Sequence, residues 1–131
     1  MAYGEINLPH LAGGAPVTIA DFSSATPTTL YTVPTGYVCY PLYALLECNA
    51  DVGANLVFSI GKSTALTDFI GSTNGDNLDA DNDFIFLGPV PSATPATLKK
   101  YTAGQIIQFN VSVAGNAVAG QVLLFIILRV A

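Results

Sequence analysis

One stretch near the end of the chain, Gln121 to Ala131 (QVLLFIILRVA), limits the possible folds more than any other. From Val122 to Leu128 no side chain is polar, so a two-residue strand period puts Val122, Leu124, Ile126 and Leu128 on one face. Leu123, Phe125 and Ile127 then fall on the other. An antiparallel strand normally shows one face to water. A strand apolar on both sides therefore needs a layer beneath it and a cover above it. The amphipathic run Gln105 to Ala114, with Ile107, Phe109, Val111 and Val113 facing inward and Gln108, Asn110 and Ser112 outward, supplies one layer. No window carries an apolar i, i+3, i+4, i+7 stripe with caps, so no helix supplies the other. A second subunit is the expected cover. Arg129 shares the parity of Leu123, Phe125 and Ile127, so these four residues are the candidate oligomer interface, with Arg129 at its rim.

Composition points the same way. The chain has 131 residues, enough for one domain with a real core. Charged residues make up only 10%, against about 25% in ordinary soluble domains. A monomer of this mass exposes about 6,500 Å², so charge is sparse on its surface. Such a surface is usually covered in part, as in a permanent oligomer or larger assembly. The formal charge of -5 argues against nucleic-acid binding, which needs clustered Lys and Arg. Apolar runs fall well short of the roughly 18 to 20 residues of a helical membrane span. The start, MAYGEINLPHLAGG, has neither the basic nor the continuous apolar region of a secretory signal.

Residues 1 to 15 are rich in glycine yet carry Tyr3, Ile6, Leu8 and Leu11. They are expected to form an extended arm that buries these four side chains on a neighbouring subunit, or else a frayed terminus. Residues 16 to 131 read as strand after strand. Pro16 to Phe22 and Thr29 to Val33 come first, then the turn Pro34-Thr35-Gly36. Tyr37 to Cys48 contains Pro41, which predicts either two short strands or one bulged strand near an edge. Leu56 to Gly61 alternates as a half-buried strand. Leu66 to Gly71 is short, and Asn74-Gly75 is a hairpin-turn signal. Phe84 to Leu87, Thr97 to Tyr101, Gln105 to Ala114 and the closing run complete the set. About eight strands predict an all-β fold, an antiparallel β-sandwich of jelly-roll type.

Catalytic chemistry is not legible. The single His10 sits in the arm without a sequence-adjacent acid or thiol, and Glu5, Asp21, Glu47, Asp51 and Asp68 are scattered near loops. The chain is expected not to be an enzyme. Cys39 and Cys48 lie nine apart, which aims them at opposite faces unless Pro41 introduces a bulge; both are expected to be free and buried. Asp79, Asp81 and Asp83 alternate within one loop and offer hard oxygens of the kind Ca²⁺ takes. The Gly and the terminal Glu of an EF-hand loop are missing, and the alternative is a solvated loop whose acids cap turns. Tyr31, Tyr37, Tyr40, Tyr43 and Tyr101 could form a sugar-binding platform, but their strand spacing favours core and interface packing.

The segment LYTVPTGYV (Leu30 to Val38), followed some ninety residues on by GQVLLFIILRV, resembles small β-sandwich structural proteins of tailed bacteriophages. In that family a Y-x-V-P-x-G turn opens the sandwich, and Tyr31, Val33, Pro34 and Gly36 match it. Tyr101-Thr102-Ala103-Gly104-Gln105 matches a second recurring turn, and the resemblance runs from Val17 to Val130. It implies a head decoration or cement protein, trimeric on the capsid surface and bound to the major capsid protein. Such a protein is made in the host cytoplasm and acts on the virion, with no cofactor, small-molecule substrate, nucleic acid or membrane. The same turn occurs in tail-fibre and receptor-binding domains. The alternative is therefore a receptor- or glycan-binding head of a phage fibre or spike, and a third possibility is a cellular carbohydrate-binding module. The low charge and the arm depart from the family, so its capsid-binding surface does not carry over.

Overall fold

A computed structural model describes residues 6–88 and 99–131, with the backbone alone for Ile6 and Asn7. The described residues form ten strands: β1 (Ile6–Leu11), β2 (Val17–Ile19), β3 (Thr28–Thr32), β4 (Tyr37–Cys48), β5 (Val57–Lys62), β6 (Ala65–Asn74), β7 (Phe84–Leu87), β8 (Tyr101–Thr102), β9 (Ile106–Val113) and β10 (Gly120–Val130). One sheet runs β1-β10-β4-β7, with β2 also on β10 and β8 also on β4; the other runs β3-β9-β5-β6. Every pairing is antiparallel. Setting aside the short β2 and β8, the eight main strands in chain order lie 1-8-3-6 in one sheet and 2-7-4-5 in the other. That is the strand order of a jelly roll. Among the described residues no helix is long and apolar enough to cross a membrane.

The core lies between the sheets, where the inward side chains of β10 meet those of β9 and β5. Val122, Leu124, Ile126 and Leu128 are buried, as are Ile107, Phe109, Phe58 and Ile60. Phe109 is central: its ring stacks 5.2 Å from Phe58 and meets Phe22 edge-on at 6.1 Å. The two turns that carry the family resemblance touch each other at one end of the sandwich. Val33 N–H donates to Gln105 O (3.0 Å) and Gly104 N–H to Val33 O (2.8 Å). Gly36 (φ 85°) and Gly104 (φ 81°) take the left-handed conformations these turns need.

Several elements differ from the sequence expectation. Ile6–Leu11 of the expected arm forms β1 and pairs with β10 of its own chain, so that Ile6 faces Leu128 and Leu11 faces Phe125. Residues 6–11 therefore share a sheet with the rest of the chain, and their backbone supplies a partner for that edge of β10. Asn74-Gly75 closes no hairpin: β6 and β7 lie in different sheets, and Gly75 N–H donates across to Leu56 O (2.8 Å). β5 is buried along Phe58–Gly61 rather than on one face alone. Ser59 donates to Leu66 O (2.8 Å), and at Gly61 a Cβ would collide with the Ala65 and Leu66 backbone. Gln108 and Asn110, expected to face water, are only 9% and 6% exposed; the Gln108 amide donates to Asn110 Oδ1 (3.1 Å), so polarity is satisfied internally. Val113, expected inside, is exposed at the strand end.

β4 is a single bulged strand but not an edge strand. It has β10 on one side and β7 and β8 on the other. Its register against β10 slips between Phe125–Tyr43 and Ile126–Pro41, which leaves Leu42 as the extra residue. Proline is tolerated inside the sheet because the bulge already interrupts the ladder there.

Candidate assembly surface

The outward side of the β1-β10-β4-β7 sheet is assembled from the parity of its strands. On β10, Leu123, Phe125 and Ile127 are half-buried and Arg129 is exposed, whereas their neighbours in sequence point into the core. Directly opposite on β4 stand Leu45, Tyr43, Tyr40 and Val38 respectively. The bulge at Leu42 makes this possible. Without the extra residue, Val38 and Tyr40 would share no face with Tyr43 and Leu45. The same slip turns both Cys39 and Cys48 inward, where each is fully buried and free.

β7 extends the surface. Phe86 pairs with Leu45 and Phe84 with Glu47, and these two phenylalanines are 61% and 65% exposed, an unusual state for such large apolar rings. Three rings line up across three strands: Phe86 lies 5.4 Å from Tyr43, and Tyr43 lies 4.8 Å from Phe125, with interplanar angles of 28° and 19°. The spacing matches the distance between neighbouring strands. The rings therefore stand side by side, faces toward one another, with their edges turned outward. Gly88 makes room for this, because a Cβ there would sit 2.8 Å from the Phe86 ring. At one end the Arg129 guanidinium lies over the Tyr40 ring, 5.2 Å from its centre.

From Leu123 to Arg129 the surface is about 20 Å long, and three strand spacings make it about 14 Å wide, so its plan area is about 280 Å². Patches of that size on a monomer are often functional. Sequence parity identifies the β10 residues. It leaves Tyr43 undecided between core and interface and misses Phe84, Phe86 and Gly88, whose place depends on which strands become neighbours. The available signal is the alternation of Phe84 and Phe86, which puts both rings on one face of their strand.

The other candidates lie at the margin of this surface, on it, or away from it. Tyr3 falls outside the described residues. Leu8 on β1 is 75% exposed, Leu11 is half-buried opposite Phe125, and His10 Nδ1 bonds to the nearby Leu8 O (3.1 Å). Tyr101 is buried in the core and its hydroxyl donates to Asp68 Oδ1, so that β8 of one sheet is tied to β6 of the other. Tyr31 and Tyr37 pack against the core. Of the five tyrosines, only Tyr40 and Tyr43 reach the outer face.

Asp79, Asp81 and Asp83 are not brought together as ligands: among the described residues no group of three or more His, Cys, Asp or Glu converges on a metal-sized site. The Asp83 carboxylate instead accepts from the N–H groups of Asp79 (3.2 Å) and Ala80 (3.0 Å). This self-capped turn docks on the end of β4 through Cys48 N–H to Asp83 O (3.0 Å), Asn82 N–H to Cys48 O (2.9 Å) and the Cys48 thiol to Ala80 O (3.1 Å). Burial, aided by the Asp83 charge, raises the pKa of the Cys48 thiol.

No family model matches the chain, and no curated protein does. Among solved structures, a chain of the capsid asymmetric unit of cyanophage Pam1 is similar over 100% of this chain and 91% of that one, with a TM-score of 0.56 and 13% identity. At that identity the likeness is one of fold.

Proposed function

We propose that this protein is a structural component of a phage virion. It decorates the capsid surface as a homo-oligomer, a trimer in the form the family resemblance implies, and cements the shell by bridging major capsid protein subunits. The observation that carries the proposal is the outer face of the β1-β10-β4-β7 sheet. It is aromatic and almost free of charge, on a chain whose charged content is 10%. Burying its rings against a second subunit removes apolar area from water at roughly 25 cal/mol per Å². The fold likeness to a chain from a cyanophage capsid supports a capsid setting. Multivalent binding of an oligomer then strengthens attachment without new contacts per subunit.

A glycan-binding head has less support. Sugars stack on the free faces of aromatic rings, and here the faces of Phe86, Tyr43 and Phe125 are turned to one another. The test has two parts. Native mass spectrometry of the purified protein at micromolar concentration is expected to give an oligomer. Electron microscopy of virions with and without the protein is expected to show its density on the capsid surface. A monomer, or density confined to the tail tip together with glycan-array binding, overturns the proposal.

A further inference from the structure

β1 and β2 occupy the same edge of β10. β2 covers Gly120 to Val122, through Ile19, Thr18 and Val17, while β1 covers Phe125 to Leu128. Between them lies a single 3-10 turn, Ala12–Gly14, in which Gly13 (φ 69°) and Gly14 (φ 75°) are both left-handed. Only Ala12 of this turn is buried; the space around both glycines is open, with no atom within 4 Å of where a Cβ would be. The two halves of this edge are therefore joined by a turn that is anchored in the core at Ala12 and open at its two glycines. β1 has a break in its register between Ile6 and His10, and Leu8 is 75% exposed. β10 keeps its other neighbour, β4, along its full length whether or not β1 is present.

We propose that β1 is an exchanged strand: in the assembled state it leaves its own β10 and pairs with the β10 edge of a second copy. This rests on the oligomer proposed above, and two features of the chain support it. The edge is continuous with the candidate interface, because Leu11 faces Phe125, a member of the aromatic stack. The link of residues 12–16 spans up to about 17 Å when extended, whereas packed sheets lie about 10 Å apart. The β10 edge of a neighbour seated on the aromatic face is therefore within reach. Exchange restores every backbone pair that it breaks, because the donated strand is identical, so it costs little enthalpy and links the subunits.

The test uses two full-length chains, one carrying Leu11→Cys and the other Phe125→Cys, unfolded together, refolded and mildly oxidised. Facing strand positions are close enough for a disulfide. The expected result is a covalent heterodimer on a non-reducing gel, and bridges between chains when both substitutions are placed in one chain. Bridges formed only within a chain, with no heterodimer in the mixture, overturn strand exchange. Native mass of the unmodified protein separates the two proposals. An oligomer with intrachain bridges defeats exchange and leaves the assembly standing, whereas a monomer defeats both. Should Phe125→Cys impair refolding or, as a member of the proposed interface, leave the reduced chain monomeric, deletion of residues 1–11, which spares the buried Ala12, replaces it. The shortened chain is expected to keep its strand circular dichroism and to dissociate at least tenfold more readily, and unchanged dissociation overturns the proposal.

Discussion

Cys39 and Cys48, nine residues apart on one strand, both point into the core, because the extra residue at Leu42 shifts the parity of β4 between them. The same bulge aligns Val38 and Tyr40 with Tyr43 and Leu45 on the outer face. One inserted residue thus sets the inside and the outside of the sheet at once. Deletion of Leu42 is expected to drive one half of β4 into the wrong face and to abolish cooperative unfolding, read as loss of a sharp thermal transition. A deletion variant that melts within about 5 °C of the parent would show that the bulge is dispensable.

Ile126 and Ile127 are neighbours with opposite fates, the first fully buried and the second on the outer face. Ile126→Asp puts an unpaired carboxylate in the core and is expected to cost at least about 4 kcal/mol, enough to unfold most of the chain. Ile127→Asp is expected to leave the monomer folded, with a change of about 1 kcal/mol or less, while abolishing association. Circular dichroism and light scattering on the two variants check both statements. The reverse pattern would mean the faces are exchanged.

Burial pushes the Cys39 thiol up to about 12, from an ordinary 9.0. The folded thiol holds its proton where an unfolded chain releases it. The contribution is therefore complete below pH 9 and is lost as pH rises from 9 toward 12. Tyr101 acts in the same direction above pH 10, because burial first and the Asp68 bond second raise its pKa. A shift of three units corresponds to about 4 kcal/mol. Thermal melts are expected to fall steeply above pH 9, and Cys39→Val is expected to flatten the first part of that fall. Parallel curves for the two proteins would refute the assignment.

Asp83 closes its loop by accepting two backbone N–H groups, so Asp83→Ala is expected to lower stability by about 1 to 2 kcal/mol. Millimolar Ca²⁺ or EDTA is expected to shift the melting temperature by less than about 1 °C, since the carboxylates do not converge. A rise of several degrees with Ca²⁺ that vanishes in Asp81→Asn would restore the loop as a metal site.

Removing the Tyr101 hydroxyl by Tyr101→Phe strands the Asp68 carboxylate of β6 without its partner from the other sheet. The expected cost is about 1 to 3 kcal/mol, measured by urea denaturation. A neutral result would mean that water replaces the hydroxyl at no loss.

Much of the sandwich is legible in the chain itself, because strand periodicity is local. Val122 to Leu128 reveals its two apolar faces from alternation alone, and the Pro34-Thr35-Gly36 and Ala103-Gly104 turns follow from backbone preference. Local signals fail where a long-range partner decides the outcome. Gln108 and Asn110 read as solvent-facing, yet each finds its hydrogen bond in the other. Asn74-Gly75 reads as a hairpin, yet Gly75 extends the pairing of β6 with β5 by bonding to Leu56, and the chain then crosses to the other sheet.

The sequence alone thus determined that β10 needs cover on both sides, since side-chain period is a property of the strand by itself. Only the tertiary structure decided what stands beside it. The jelly-roll order brings β4 and β7 next to β10, and with them Tyr43 and Phe86 next to Phe125. It also returns the expected arm to the edge of β10, where pairing satisfies backbone groups that no local pattern reveals.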